Sequence, residues 1–528
     1  MTSQIRIIRS ENGLSASVKY PMMAPRLTEN KRKPNSDRQP MNIALDRDVC
    51  DRARLARDPR FDGLFFVGVK STGIYCRPIC PARPPRPENI VYYPTADAAA
   101  AAGLRPCLRC RPEAAPGTPA WNGTCATVSR AMHLIRQGSL DNASVDELAD
   151  RLGLSARHLR RLFRRHIGAA PKIIADNQRL LFAKKLVMET DMPITQAALA
   201  AGYGSLRRFN AAFRKGIGRT PSQMRQRRLL APSRTTSGVH CTLRLAYRPP
   251  YDWTRMLAFF QRRAIPGVEW VAEGTYRRTV RLPSCQGEIA VRHISRKLAL
   301  ELDVCLSDSR ELMVVVERVR RMFDLDAHPQ AIHRTLGQDP LLARLIRRTP
   351  GLRLPGSWDP FETAVRAVVG QQVAVKGAVT QLGRLVRLAG TVYEGDTPHP
   401  LTHIFPKPEE LIQLDWSAVG MPQKRKATLL RLAREAAIGS LSLTETDSLS
   451  HFVAGFTKIP GIGDWTAHYV AMRALAHPDA FPASDLGIRK ALQQGPLRPT
   501  ARHAALRADA WRPWRAYAAA YLWQTLEA

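Results

Sequence analysis

The 528-residue chain is predicted to be a multidomain protein, mainly α with α+β parts, and three observations lead there. Its length exceeds what one hydrophobic core serves, so about three to five domains are expected. Cys76, Cys80, Cys107 and Cys110 fall into two close pairs, in GIYCRPIC and RPCLRC. That spacing suits a small zinc domain, because two short knuckles brought together by a loop present four sulfurs to one tetrahedral Zn²⁺. Further on, SVDELADRLGLSARHLRRLFRRHIG and PITQAALAAGYGSLRRFNAAFRKGIGRTP repeat one layout of helix, glycine turn and basic helix, as a duplicated all-α unit does.

Composition narrows the partners. There are 80 Lys and Arg against 45 Asp and Glu, a formal charge of +35, and such an excess points to a polyanion, nucleic acid first; the family resemblances given below imply double-stranded DNA. No run reaches the roughly 18 apolar residues of a spanning helix, so no membrane role is expected. The N-terminal forty residues lack the apolar core of a signal peptide. Outside the two pairs, Cys50, Cys125, Cys241, Cys285 and Cys305 are scattered, which suits a reducing compartment, and the expected location is cytoplasmic.

Residues 1–40 are polar and basic without periodicity, and are expected to be a disordered tail; Met41 is a candidate start. Residues 41–117 form the first domain: a helical opening, a strand in which Phe65, Val67 and Val69 alternate, then the two knuckles. Spacing alone leaves open whether the zinc is structural or one thiolate reacts. The flanking residues resemble the N-terminal domain of the Ada adaptive-response proteins, which repair methylated phosphate in DNA. The resemblance implies that Cys76, the first cysteine, is both zinc ligand and methyl acceptor. The chemistry is sound, since a zinc-bound thiolate is deprotonated yet nucleophilic and a methyl phosphotriester offers a carbon electrophile. Four thiolates on Zn²⁺ leave a net charge of about −2, so methylating Cys76 removes negative charge near Arg77, Arg83 and Arg86.

Residues 125–230 hold the repeat. Ser144 and Glu147 make a capping box, Val145, Leu148, Ala149 and Leu152 an apolar face, and Gly153 the corner; Leu159, Leu162 and Phe163 face inward on the next helix. Arg157, Arg160, Arg161, Arg164 and Arg165 face outward. In the second copy Gly202 turns the chain and Arg207, Arg208, Asn210 and Arg214 are the outward set. A basic second helix is what a helix-turn-helix places in the major groove, and the pair resembles an AraC-type DNA-binding domain, as in Ada, reading promoter DNA.

A basic linker, 231–240, leads into an α+β section, 241–340. Its PPYDW string resembles the N-terminal subdomain of the AlkA-type 3-methyladenine DNA glycosylases, which implies that Phe259 and Arg263 border a base pocket. Residues 341–528 are helical. KIPGIGDWTAHYV suits a helix-hairpin-helix, where Gly461 and Gly463 permit a tight turn whose amides grip a DNA phosphate. With Asp485 following, the match is to the helix-hairpin-helix glycosylase superfamily, an all-α domain. It implies Asp485 as the catalytic carboxylate and Trp465, Tyr469 and Trp523 as pocket aromatics facing a flipped cationic base. The glycosylase needs no cofactor; one Zn²⁺ serves the four-cysteine site.

The chain departs from the family pattern in places. Strand-cleaving relatives carry a Schiff-base lysine where this chain has Trp465, so a monofunctional enzyme is expected. Gln372 stands where AlkA has a leucine wedge. Leu486 replaces an aromatic and is expected to alter one pocket wall. The Pro-Cys-His-Arg string of an O6-alkylguanine methyltransferase is absent. The reading is a monomeric bacterial, nucleoid-associated protein that hydrolyses the glycosidic bond of alkylated bases, captures methyl groups at Cys76 and regulates promoters. Two alternatives are a transcription factor with a non-catalytic glycosylase-like clamp, and a glycosylase with a purely structural zinc.

Overall fold

The structure, a computed structural model, describes residues 46–116, 126–141, 143–225, 238–395, 400–441, 443 and 449–526. The 1–40 tail, Cys125 and most of the 231–240 linker lie outside these residues. No described helix is long and apolar enough to cross a membrane.

The N-terminal body opens with helix α1 (Arg47–Leu55), capped by the Asp46 carboxylate, which accepts from the Asp48 and Val49 amides. Strands β1 (Phe66–Val69), β2 (Ile74–Cys76) and β3 (Ile90–Tyr93), helix α2 (Ala96–Ala101) and strand β4 (Arg105–Pro106) follow. The sheet order is β3-β1-β2-β4. The alternation expected around Phe65 to Val69 implied one wet face, yet β1 is buried along its whole length. Phe65 and Val67 pack with Cys50 and Ala53 of α1, while Phe66 packs with Tyr75 and Ala99 of α2. Helices on both faces explain the difference.

The helical body comprises α3 (Ala126–Arg136), α4 (Val145–Arg151), α5 (Ala156–His166), α6 (Pro171–Glu189), α7 (Ile194–Ala200), α8 (Leu206–Ile217) and α9 (Pro221–Arg225). The Ser144–Glu147 capping box forms in both directions. Ser155 caps α5 through the His158 amide and Ser205 caps α8 through the Arg208 amide. Gly153 and Gly202 adopt φ of +69° and +78°, the left-handed corners that glycine supplies at least cost. Helix α6 joins the two helix-turn-helix units.

Five antiparallel strands come next in the order β5-β9-β8-β7-β6: β5 (Val239–Ala246), β6 (Glu269–Ala272), β7 (Thr275–Arg281), β8 (Gln286–Ile294) and β9 (Ala299–Leu306). Strand β5 takes up the last residues assigned to the linker, because Val239 and His240 pair with Leu306 and Cys305. Helix α10 (Trp253–Arg263) crosses between β5 and β6, and α11 (Leu312–Met322) closes this layer. The remaining body contains α12 (Pro329–Leu336), α13 (Pro340–Arg348), α14 (Pro360–Val369), α15 (Val375–Ala389), the short pair β10 (Thr391–Val392) and β11 (His403–Ile404), α16 (Pro408–Ile412), α17 (Gln423–Ala437), α18 (Leu449–Phe456), α19 (Asp464–Arg473), α20 (Leu486–Ala491), α21 (Ala501–Ala508) and α22 (Arg515–Gln524).

The cores do not respect simple breaks along the chain. The first helix-turn-helix has its own core around Leu148, Leu159 and Phe163. The second does not: Phe209, Phe213 and Ile217 share one buried cluster with Leu243 and Val304 of the sheet. Trp358 returns to that cluster, whereas Ile332 and Leu336 already belong to the C-terminal helical core. Buried charges fasten the bodies further. On α6, Lys184 Nζ pairs with Glu113 at 2.6 Å and donates to the Cys107 carbonyl at 3.3 Å. Glu189 takes Arg111 at 2.7 Å and Lys185 at 2.8 Å. Arg248, fully buried, donates to the carbonyls of Asp62 (2.9 Å), Asp326 (2.9 Å) and Pro116 (3.4 Å), and burial pushes its pKa down to about 10.

A cysteine cluster, a basic face and an aromatic cavity

Parallel pairing of β2 with β4 builds the cysteine cluster. Cys76 ends β2, Cys107 follows β4, and the Cys107 amide donates to the Tyr75 carbonyl at 3.0 Å. Cys80 and Cys110 return on tight turns, and all four sulfurs lie within 4.8 Å of one another. Tetrahedral Zn–S bonds of about 2.3 Å place sulfurs about 3.8 Å apart, so the four fit one ion. The sulfurs are not equivalent. Cys107 and Cys110 are 7% exposed, and each accepts a backbone amide, from Arg109 at 3.4 Å and Arg77 at 3.3 Å respectively. Cys76 and Cys80 are half-buried, and among the described residues no backbone amide hydrogen-bonds to Cys76 Sγ. Of the three nearby arginines, Arg83 and Arg86 are exposed. Arg77 is held instead by the buried Asp62 carboxylate and by the Cys110 carbonyl at 3.1 Å.

The two basic helices present what the sequence led us to expect. Arg157, Arg160, Arg161, Arg164 and Arg165 on α5, and Arg207, Arg208, Asn210 and Arg214 on α8, are all exposed. Leu159, Phe163, Phe209 and Phe213 are fully buried on the opposite faces. A wide apolar stripe inward leaves the guanidinium groups nowhere but solvent or a ligand.

The cavity is lined by residues of α10, α14, α15, α19 and α22, with Asp485 at the head of α20. Trp465 and Tyr469 stand one turn apart on α19 and stack at 5.2 Å with an interplanar angle of 13°. Trp523 comes from the last turn of α22, and Phe259 and Arg263 from the end of α10, with the Arg263 guanidinium 4.0 Å from the Phe259 ring centroid. Together with Asp485 they line a cavity of about 440 Å³. Asp485 is the N-cap of α20. Its Oδ1 accepts from the Ile488 amide at 2.9 Å and from Trp523 Nε1 at 2.9 Å, while Oδ2 accepts from Trp465 Nε1 at 2.7 Å. Two pocket aromatics thus hold the carboxylate they surround.

Leu486, the first residue of α20, is 51% exposed and is not among the residues lining the cavity, which Leu526 does line. Arg473 was missed. It lines the cavity with its guanidinium carbon 4.6 Å from the Phe259 ring, 5.6 Å from Tyr469 and 5.5 Å from Trp523. The signal was available, since Trp465, Tyr469 and Arg473 lie four apart along one helix stripe.

Beside the cavity, the hairpin between α18 and α19 is anchored by Ile459 and Ile462, 6% and 5% exposed. Gly461 has φ +88°, and a Cβ there would lie 2.1 Å from Thr428 Oγ1. Gly463, the N-cap of α19, faces open space. Gln371 Nε2 donates to the Gly461 carbonyl and to Thr466 Oγ1, both at 3.0 Å, and Arg425 holds the Gln371 carbonyl at 2.7 Å. These struts tie the hairpin to the loop in which Gln372 sits exposed, with φ +53°.

Three family models match successive stretches of the chain. Residues 49–113 match the metal binding domain of Ada, residues 148–227 a helix-turn-helix domain and residues 242–359 the AlkA N-terminal domain. The Escherichia coli DNA-3-methyladenine glycosylase 2 is 35% identical over 289 residues, 53% of this chain and 96% of that one. The Escherichia coli bifunctional transcriptional activator/DNA repair enzyme Ada is 34% identical over 171 residues, 32% of this chain and 47% of that one. A Mycobacterium tuberculosis protein described as a probable bifunctional transcriptional activator/DNA repair enzyme AlkA is 41% identical over 483 residues, covering 90% of this chain and 96% of the relative. With its four-cysteine zinc site, helix-turn-helix domain and glycosylase half in one chain, the protein belongs to the family of bifunctional Ada/AlkA transcriptional activators and DNA repair enzymes.

Proposed function

We propose that this protein repairs alkylated DNA at two separate sites, with Asp485 serving base excision and Cys76 serving methyl capture. The observation that carries the reading is a carboxylate fixed by two indole N–H donors at an aromatic-lined cavity of about 440 Å³, a size that takes one flipped base. In the reaction the glycosidic electron pair leaves with the base, and positive charge develops at C1′. The Asp485 carboxylate stabilises that charge, and water adds its oxygen to C1′ while releasing a proton. Gly463 and the α19 amides take a phosphate, and Gln372 fills the space the flipped nucleotide leaves. With Trp465 where a Schiff-base lysine would stand, the enzyme is monofunctional and leaves the strand intact.

At the cysteine cluster the Cys76 sulfur attacks the methyl carbon, the C–O bond breaks, and the phosphodiester departs with the electron pair, leaving a thioether. Partial exposure and the absence of an amide donor among the described residues favour Cys76 over Cys107 and Cys110, because a thiolate that accepts hydrogen bonds is a weaker nucleophile. The exposed sets on α5 and α8 read promoter DNA. We assign the domains to 41–117, 125–230, 241–340 and 341–528, in a monomeric, cytoplasmic protein. The test is incubation with methylated duplex DNA, scoring free 3-methyladenine by chromatography and the modified cysteine by mass spectrometry. Base release with a methyl on Cys76 supports the reading; absence of base release refutes the enzyme, and an unmodified Cys76 refutes the acceptor.

A further inference from the structure

Aromatic walls favour a cationic base, yet the fixed charges of the cavity oppose one. Arg473 is only 6% exposed, and its Nη1 donates to the Pro355 carbonyl at 2.8 Å, which holds the guanidinium in place. From there it reaches the rings of Phe259, Tyr469 and Trp523 at 4.6, 5.6 and 5.5 Å. Arg263 meets Phe259 as well, at 4.0 Å. Three of the four aromatic walls therefore already serve a resident cation, and a ring quadrupole engaged by one cation has less to offer a second.

We propose that Arg473 sets how the pocket divides its activity between cationic and neutral damaged bases, by repelling the formal positive charge of an N-alkylated purine. Two unit charges about 6 Å apart in a protein-like medium differ in binding by about a hundredfold, and the Asp485 carboxylate offsets part of this, leaving about tenfold. A neutral base meets no such repulsion. Because cationic bases are also the better leaving groups, a fixed cation levels the rates for the two classes. The proposal rests on the reading of this cavity as the base pocket.

The experiment uses the full-length protein and two duplexes identical except for one 7-methylguanine, cationic, or one hypoxanthine, neutral, with single-turnover release measured for each. Arg473→Met is expected to raise the cationic-to-neutral rate ratio about tenfold. Arg473→Lys, which keeps the charge, is expected to stay within about threefold of wild type. An unchanged ratio in Arg473→Met, or a parallel fall in both rates as a packing role would give, overturns the proposal. Should that variant fail to fold, Arg473→Gln, which removes the same charge while keeping a polar side chain, should raise the ratio about tenfold, with no change again overturning the proposal. Asp485→Asn run beside them separates the two readings: undiminished release in that variant refutes the base pocket itself rather than the role of Arg473.

Discussion

Replacing Trp465 with Phe isolates what the indole N–H does for Asp485, since the ring that stacks on Tyr469 is retained. Among the described residues the carboxylate has three donors divided unequally: Oδ1 takes Ile488 N and Trp523 Nε1, each at 2.9 Å, whereas Oδ2 takes Trp465 Nε1, at 2.7 Å. Trp523→Phe therefore leaves Oδ1 capped by the helix amide, but Trp465→Phe frees Oδ2 to rotate. A hydrogen bond to a charged group contributes about 1.5–3 kcal/mol. Withdrawing charge from the carboxylate costs some of its pull on the developing cation, so the net effect should fall near the lower end. About 1.5–2 kcal/mol corresponds to a loss of roughly tenfold to thirtyfold in single-turnover base release for Trp465→Phe. The loss should be about threefold to tenfold for Trp523→Phe, where one donor remains on the same oxygen. DNA affinity, measured by fluorescence anisotropy, should change little in either. Rates within twofold of wild type for both variants, or the reverse order, would refute the argument that the indoles position the carboxylate.

Further outcomes follow from the hairpin, the buried histidines and the zinc site. Gly461→Ala should destabilise the fold by about 2–4 kcal/mol, because it combines a strained φ with displacement of Thr428. Gly463→Ala should leave the melting temperature nearly unchanged while weakening binding to abasic-site duplex; equal destabilisation by both variants would contradict the assignment of Gly463 to the DNA face. Burial among Arg248, Arg334 and Arg353 pushes the pKa of His328 down to about 3. The folded state thus keeps this imidazole neutral while the unfolded chain protonates it near pH 6.5. Its contribution to stability is complete above about pH 6.5 and is lost by about 1.4 kcal/mol per unit as pH falls toward 3. Urea unfolding at about pH 7 and pH 5.5 should show a smaller acid loss for His328→Leu than for wild type. Stripping zinc with a chelator should abolish methyl transfer while leaving base release in place, scored in one sample.

Local features were the most legible in the sequence. The two cysteine pairs, the Ser144–Glu147 box, the glycine corners and the outward arginines all depend on neighbours a few residues away, and spacing encodes such neighbours directly. Trp465 and Tyr469 were legible through the family resemblance, and their four-residue spacing puts them on one helix stripe that Arg473 extends by another turn. What spacing does not encode is the partner across the fold. Apolar positions on α8 announce a buried face, but nothing in them says that Phe209 and Phe213 share a core with the five-stranded sheet. The two indole donors to Asp485 lie 20 and 38 residues away in sequence, so the carboxylate was recognisable only through family resemblance. Arg248 was hidden by its charge: an arginine suggests the surface, whereas this one is buried among carbonyls from both sides of a domain junction.

The central claim is that one chain carries two independent repair chemistries. A single reaction measures it: duplex DNA bearing both methylated bases and methylphosphotriesters, incubated with wild type, Asp485→Asn and Cys76→Ser, with free methylated base and methyl per chain quantified together. Wild type should release base with turnover and take up one methyl on Cys76. Asp485→Asn should lose about a thousandfold in base release, the worth of a charge about 4 Å from the developing cation, yet remain fully methylated. Cys76→Ser should release base at the wild-type rate and take up no methyl at the cluster. Loss of both products in either variant, or of neither in both, would contradict the account.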